Sequence, residues 1–342
     1  MSFSNILIAW YHNNKRDLPW RNTKNPYHIW LSEIILQQTR VNQGLPYFEA
    51  FKTSYPTVTD LANASEDEVL KLWQGLGYYS RARNLHATAK FITANLNGIF
   101  PKQYKELIKL KGIGPYTAAA VASFAHKEAI AVVDGNVFRV ISRYFGIFDD
   151  ISTAKTRTIF QNLANELICK NNPDEFNQAI MDFGALQCTP KNPDCINCVF
   201  QETCFAFRNN KTEELPVKLS KTKVSNRYFN FLIYKDKNKK TIIEQRTEKG
   251  IWQNLFQFPL IETQNTISHE EIIPLINSSY IGIEKLNKTE IVHKLSHQKL
   301  HINFWEVEID EISTENKISI EDLDTFAFPI VLWNFIKTHY EI

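Results

Sequence analysis

The chain has 342 residues, 44% of them hydrophobic and 13% aromatic, with a formal net charge of +2. That apolar content excludes a disordered protein, and no apolar run approaches the ~20 residues of a membrane-spanning helix. Length predicts two domains, and the balanced charge means that any affinity for nucleic acid must come from local placement. The start, Met1-Ser2-Phe3-Ser4-Asn5, has no basic n-region, apolar h-region or Arg-rich transit pattern, so a soluble protein of a reducing compartment is expected.

From Ser4 to about Phe207 the signals are helical. Glu33 lies in Trp30-Leu31-Ser32-Glu33-Ile34-Ile35-Leu36-Gln37-Gln38-Thr39, among mostly apolar neighbours that would desolvate its carboxyl and raise its pKa. A solvated glutamate on a helix face is the commoner alternative for an isolated residue. Asp67 to Trp73 and Lys105 to Leu110 carry apolar residues at i, i+3, i+4 spacing, and Thr117 to Ala125 reads as a buried helix.

Leu110-Lys111-Gly112-Ile113-Gly114-Pro115-Tyr116-Thr117 reads as a helix, a tight hairpin and a new helix opening at proline. Gly112 and Gly114 let backbone N–H groups point outward at a helix N-terminus, where the dipole favours a phosphate. An ordinary turn between two helices would use the same residues, and the two readings stand level here. Asp134, in Val132-Val133-Asp134-Gly135-Asn136, sits where a helix N-cap is favoured. A charge meant to face a DNA sugar would occupy the same place, so the two roles are compatible.

Cys188, Cys195, Cys198 and Cys204 follow a thiol-poor stretch with spacing C-x6-C-x2-C-x5-C. Four thiolates so close converge only as a metal centre or as two disulfides. Structural zinc sites usually join two CxxC knuckles, and only Cys195-Ile196-Asn197-Cys198 is one. A single loop giving all four ligands suits a 4Fe–4S cluster, wider than one ion. Zinc is the runner-up, and disulfides fit poorly without a secretory signal. Cys169 is expected to be a buried core residue.

Residues 212–224 read as a linker, with polar Arg208 to Glu214, Pro216 and a Lys-rich run from Lys218 to Lys223. Beyond it, Arg227 to Tyr234, Thr241 to Gln245 and Leu300 to Val307 alternate like strands, predicting a mixed α+β domain.

Several of these stretches together resemble, in family order, the motifs of an adenine DNA glycosylase of the MutY type, within the endonuclease III (helix–hairpin–helix) superfamily. They are Leu18-Pro19-Trp20-Arg21, Ser32 to Thr39, Gln74-Gly75-Leu76-Gly77-Tyr78-Tyr79-Ser80-Arg81, the hairpin, Val133 to Asn136, Met181-Asp182-Phe183-Gly184-Ala185 and the four cysteines. The resemblance implies a multidomain chain. Its all-α helix–hairpin–helix glycosylase domain, 1–211, would have a barrel lobe at about 24–130. The second lobe, 1–23 with 131–211, would hold the 4Fe–4S cluster loop. A Nudix-like lesion-recognition domain would span 225–342.

The resemblance also implies roles. Glu33 is the acid that protonates adenine at N7, and Asp134 is the ionised partner of the sugar cation. Tyr116 and Asn136 position them, and Arg21 contacts the flipped base. Gln38 and Tyr78 wedge into the stack, with Leu36 on the same segment as Gln38. The bifunctional branch keeps a lysine where Tyr116 stands, and a phenol cannot form a Schiff base, so a monofunctional enzyme is expected. The expected partner is double-stranded DNA carrying A opposite 8-oxoguanine or G, met by a cytoplasmic, nucleoid-associated monomer with no membrane contact. Ser296 and His297, in His293-Lys294-Leu295-Ser296-His297, match the lesion-reading loop. The family commonly has an aromatic where this chain has Leu295, and a Ser-His pair in a polar loop can also have no role. No Nudix box is found, so nucleotide hydrolysis is not expected. The alternatives are a bifunctional pyrimidine-damage glycosylase, a thymine-mismatch glycosylase and a non-catalytic DNA-binding redox protein. Tyr116, the C-terminal domain, and intact Glu33 and Asp134 argue against them in turn.

Overall fold

A computed structural model of the chain describes residues 2–219, 223–314 and 316–341. Of the expected linker, residues 220–222 lie outside the described residues. The first part is helical: α1 (Phe3–Asn14), α2 (Pro26–Ile35), α3 (Val41–Ser54), α4 (Val58–Asn63), α5 (Glu66–Leu72), α6 (Ser80–Leu96), α7 (Tyr104–Leu107), α8 (Pro115–His126), α9 (Gly135–Phe145), α10 (Ala154–Leu167), α11 (Pro173–Leu186) and α12 (Phe205–Arg208). The second is mixed: β1 (Ser225–Lys235), β2 (Lys240–Ile242), β3 (Glu244–Gln245), β4 (Phe256–Gln257), β5 (Leu260–Thr263), α13 (His269–Ile272), β6 (Gly282–Lys285), β7 (Ile291–Lys294), β8 (Gln298–Glu308), β9 (Lys317–Ser319) and α14 (Ile330–Tyr340).

The chain forms two compact units. One is Met1–Asn63 with Asn84–Ser220; the other is Ala64–Arg83 with Lys221–Ile342. In the first unit the caps place the helices. Asn25 accepts from the Tyr27 N–H ahead of α2, Gly114 and Pro115 open α8, and Asp134 caps α9. One core joins Leu7 and Trp10 of α1 to Val140 of α9, Phe160 of α10, and Phe176 and Phe183 of α11. Burying each such side chain stabilises by about 1.5–3 kcal/mol.

In the second unit a mixed sheet runs β5-β1-β8-β6, with β7 also paired to β8. β1 and β8 are parallel in register from Ser225 opposite Gln298 to Lys235 opposite Glu308. β1 is buried without a break from Phe229 to Ile233, as a central strand covered on both faces must be. Phe335 of α14 stacks on Phe304 with ring centroids 3.7 Å apart.

Two expected elements differ in extent. The helix expected over Lys105 to Leu110 is regular only to Leu107. Leu110 then donates to the Leu107 carbonyl, an i→i+3 bond that tightens the chain into the hairpin. The strand expected over Thr241 to Gln245 breaks at buried Ile243, because β2 pairs with β9 while β3 pairs with β4.

Candidate active site

Glu33 faces inward in the last turn of α2 and is 7% exposed. Tyr116, in the first turn of α8, donates its hydroxyl proton to Glu33 Oε2 at 2.7 Å. Asp134 uses both carboxylate oxygens: Oδ1 accepts from the Val137 N–H at 2.8 Å, and Oδ2 accepts from Asn136 Nδ2 at 2.7 Å. Burial pushes the Glu33 carboxyl up to about 7, and the nearby Asp134 charge adds to the rise, while the Tyr116 hydroxyl and Arg21 oppose it. Burial also raises Asp134, against the pull of the Val137 and Asn136 donors. The Tyr116 phenol is held well above its ordinary range by burial and by both carboxyls.

Glu33, Tyr116, Asp134, Asn136, Arg21 and Leu36 line one cavity of about 950 Å3, within the range of small-ligand sites. The remaining expected residues lie elsewhere. Gln38 follows α2, exposed and left-handed at φ +55. The hairpin glycines precede α8. Gly112 is left-handed at φ +74, and an added Cβ would lie 2.6 Å from that of Asn84, whereas Gly114 has φ −86 and open space around it. Gly112 therefore requires glycine by its conformation, whereas the backbone of Gly114 is one that any residue adopts.

Tyr78 belongs to the second unit. It is also left-handed, at φ +48, and is 45% exposed. Its hydroxyl hydrogen-bonds that of Ser296 in the tight turn between β7 and β8. Tyr78, Leu295, Ser296 and His297 share a cavity of about 490 Å3 with Trp252 and His293.

Three further residues shape the first unit's site. Asp182 of α11 is fully buried, and a charge within apolar Ile180-Met181-Asp182-Phe183 is the signal that could have found it. It accepts from Arg16 Nε at 2.8 Å and Arg21 Nη2 at 2.7 Å, with Arg21 Nη1 on its other oxygen. Burial alone would raise this carboxyl, but Arg21 and Arg16 outweigh it and hold Asp182 below the usual range. Arg139 and Arg143, one turn apart on α9, had no such signal in the sequence. Arg139 donates to Asn136 Oδ1 at 2.8 Å, to the Gly184 carbonyl at 2.6 Å and to the Cys188 carbonyl at 2.7 Å. An added Cβ at Gly184 would come within 2.6 Å of Asn136 Cβ, so glycine there lets α11 touch the start of α9.

The four expected metal-binding thiols are free, partly buried and arranged around one small cavity of about 30 Å3. Arg143 Nη1 donates to Cys188 Sγ and the Phe200 N–H to Cys198 Sγ, both at 3.4 Å. Burial raises the Cys198 thiol to about 11, with neighbouring thiolates adding to the rise. Among the described residues, no three or more His, Cys, Asp or Glu close up as for a single ion. Cys169 is partly buried against the core, less enclosed than expected.

Residues 31–166 match the family of HhH-GPD superfamily base excision DNA repair proteins, and residues 230–338 match the NUDIX domain. The chain is 39% identical to the adenine DNA glycosylase of Buchnera aphidicola subsp. Baizongia pistaciae, covering 91% of this chain and 87% of that protein. It is 36% identical to that of Arabidopsis thaliana, covering 97% of this chain and 61% of that one. Among solved structures, a thermostable thymine-DNA glycosylase superposes with a TM-score of 0.56 at 30% identity, covering 60% of this chain and 95% of its own. An endonuclease III in a non-covalent DNA complex superposes at 0.52, covering 62% and 94%, and at 19% identity shows the shared fold.

Proposed function

The chain belongs to the adenine DNA glycosylase family, and on that footing we propose that it removes adenine from double-stranded DNA in base excision repair. The pairs it acts on are A opposite 8-oxoguanine or G, and it leaves the strand uncut. The observation that carries this reading is the Tyr116 hydroxyl at 2.7 Å from Glu33, in one cavity with Asp134.

Cleavage of an N-glycosidic bond needs a proton on the leaving base and a counter-charge for the sugar. Glu33, raised to about 7, still holds a proton near neutral pH, and it gives that proton to adenine N7 as the C1′–N9 electron pair passes into the base. Asp134 faces the resulting oxocarbenium ion. The donors on both its oxygens favour its ionised form, and Asn136 keeps it aimed. Water then adds at C1′ and gives a proton to the Glu33 carboxylate, regenerating the acid. Arg21, fixed by Asp182, presents a rigid cationic edge to the flipped adenine. No amine stands at 116, so no Schiff base forms there.

Gln38 and Tyr78 wedge into the duplex, and the hairpin before α8 offers backbone N–H groups to a phosphate. 8-Oxoguanine differs from guanine in presenting an N7–H donor and an O8 acceptor. The Tyr78 and Ser296 hydroxyls can answer both, with His297 beside them; Leu295 offers contact without stacking.

The thiols of Cys188, Cys195, Cys198 and Cys204 fit a 4Fe–4S cluster. They are unpaired, surround one cavity and receive two N–H donors, as thiolate ligands would. When bound, the cluster cross-links residues 188–204 and takes no part in the proton transfers. The same loop offers Lys191 to the DNA backbone.

Duplexes carrying A opposite 8-oxoguanine, A opposite G, and G opposite T test the reading, each followed by alkali. Alkali-dependent breaks in the A-containing strand of the first two are expected. Breakage of the T strand, or breaks without alkali, would replace it with a thymine-mismatch or bifunctional enzyme.

A further inference from the structure

Segment Ala64–Arg83 lies within the stretch matching HhH-GPD proteins, yet it is part of the compact unit built on the C-terminal sheet. It comprises α5, a turn and the start of α6. Tyr78 occupies that turn with φ +48, a backbone conformation that a tyrosine keeps only when its surroundings hold it.

C-terminal residues hold the turn from both sides. Ahead of it, Asn254 Nδ2 donates to the carboxylate of Glu66, the first residue of α5. Lys71 Nζ donates to the Phe326 carbonyl at 3.1 Å and lies 4.4 Å from the centre of the Trp333 ring. In the turn, Gln74 Oε1 accepts from the Phe328 N–H at 3.3 Å. Just past it, Arg83 Nη1 donates to the Gln253 carbonyl at 2.7 Å. Asn254 and Gln253 thus grip the two helices that flank Tyr78.

The loop that supplies this grip is itself sharply bent. Gly250, Trp252 and Asn254 have φ of +149, +60 and +64. Trp252 is 7% exposed and packs edge-on against Phe229 of β1, which ties the loop to the sheet. The same sheet carries Ser296, whose hydroxyl meets that of Tyr78. The tip of the side chain is therefore held by the β7–β8 turn, while loop 250–254 holds the helices on either side of Tyr78. Within this loop, the Asn254 amide on the Glu66 carboxylate is a charge-assisted hydrogen bond, and Gln245 Nε2 adds a second amide–carboxylate bond to Asp67 of the same helix at 3.2 Å.

We propose that Asn254, acting through Glu66, is a positioning residue that sets Tyr78 for insertion beside the base opposite the target adenine. This rests on the reading of Tyr78 as a wedge. Asn254→Asp sets a carboxylate against that of Glu66, and adding Glu66→Gln restores an amide–carboxylate hydrogen bond with the roles exchanged. The full chain is assayed by single-turnover adenine excision opposite 8-oxoguanine, by fluorescence of 2-aminopurine at the target position, and by melting temperature. Asn254→Asp is expected to slow excision about tenfold and dim the extrusion signal with little change in melting. The double variant should recover both.

In a Tyr78→Ala background, Asn254→Asp should cause no further loss, because the two changes act on one element. A full tenfold loss in that background, no loss in the parent, or no rescue overturns the proposal. Where Asn254→Asp unfolds the chain, Asn254→Gly removes the amide while keeping the left-handed backbone, and the same outcomes decide. Tyr78→Ala alone separates the two levels of argument. If it leaves excision and extrusion intact, the wedge reading fails and the proposal with it. If Tyr78→Ala is damaging while the Asn254 variants are inert, only the proposal fails.

Discussion

Arg139 donates to the carbonyl of Cys188 at 2.7 Å while a second nitrogen of the same guanidinium donates to Asn136. A single side chain therefore links the Asp134 cap to the first residue of the thiol loop.

Arg139→Leu should loosen both ends of that link. Removing a charged donor from partly buried acceptors costs about 1.5–3 kcal/mol per hydrogen bond. We expect at least a tenfold slower excision and faster loss of bound iron during dialysis against chelator. Excision and iron retention both at the parental level would show that the link is incidental.

In the proposed role of acid, Glu33 should give the reaction a pH limb. With its carboxyl at about 7, the excision rate should fall as pH rises through that value. The stability effect has the same sign. Between the ordinary Glu range near ~4.3 and about 7, the native state holds a proton that the unfolded chain has lost, so stability falls as pH rises. Glu33→Gln should lose about 10²–10⁴-fold in rate while retaining DNA binding. Above pH 7 it should be the more stable protein by roughly 3–4 kcal/mol, an advantage that vanishes toward pH 4. A pH-independent rate across pH 5–9 would remove Glu33 from the role of acid.

Asp134→Asn separates the cap from the charge. Asparagine caps a helix about as well as aspartate, so α9 should survive and melting should move little. Excision should nevertheless fall by at least ~10²-fold, because the sugar cation loses its counter-ion. Near-parental cleavage with an intact fold would leave Asp134 as a cap alone.

Tyr116→Lys puts an amine beside Glu33 and Asp134. Measurable strand nicking and borohydride trapping are expected from the variant and almost none from the parent. Efficient trapping by the parent would contradict the monofunctional reading. A variant that excises adenine yet never traps would show that position 116 is not aimed at C1′.

The thiol loop predicts a brown protein with broad absorbance near about 400 nm, from thiolate-to-iron charge transfer. Cys198→Ser should bleach it and lower the melting temperature. A colourless parent with one zinc per chain would sink the 4Fe–4S assignment.

Much of this site was legible in the sequence because local rules and chemistry agree there. Apolar neighbours foretold the burial of Glu33, and a cap position foretold Asp134. What the sequence hid depends on long-range contact. The grip of Asp182 on Arg21 spans 161 positions, and nothing near Arg21 announces it. The left-handed backbones of Gln38 and Tyr78 are also hidden, because neither residue type favours that region. Nor does helical periodicity reveal that Ala64–Arg83 packs with residues more than a hundred positions away.

Asp182 has one further consequence. It carries one negative charge and is shared by two guanidiniums, Arg16 and Arg21, so the pair keeps an uncompensated unit of positive charge. Arg40 and Arg139 also line the cavity, so among its described lining residues four arginines stand against two acidic side chains, Glu33 and Asp134. The mouth of the cavity is thus an electrostatic funnel for a polyanion, with a pull that weakens as salt screens it over the ~10 Å Debye length of 0.1 M solution. Loss of the Glu33 proton subtracts from the same field, so alkaline pH and high salt should slow capture of a flipped nucleotide by a common route.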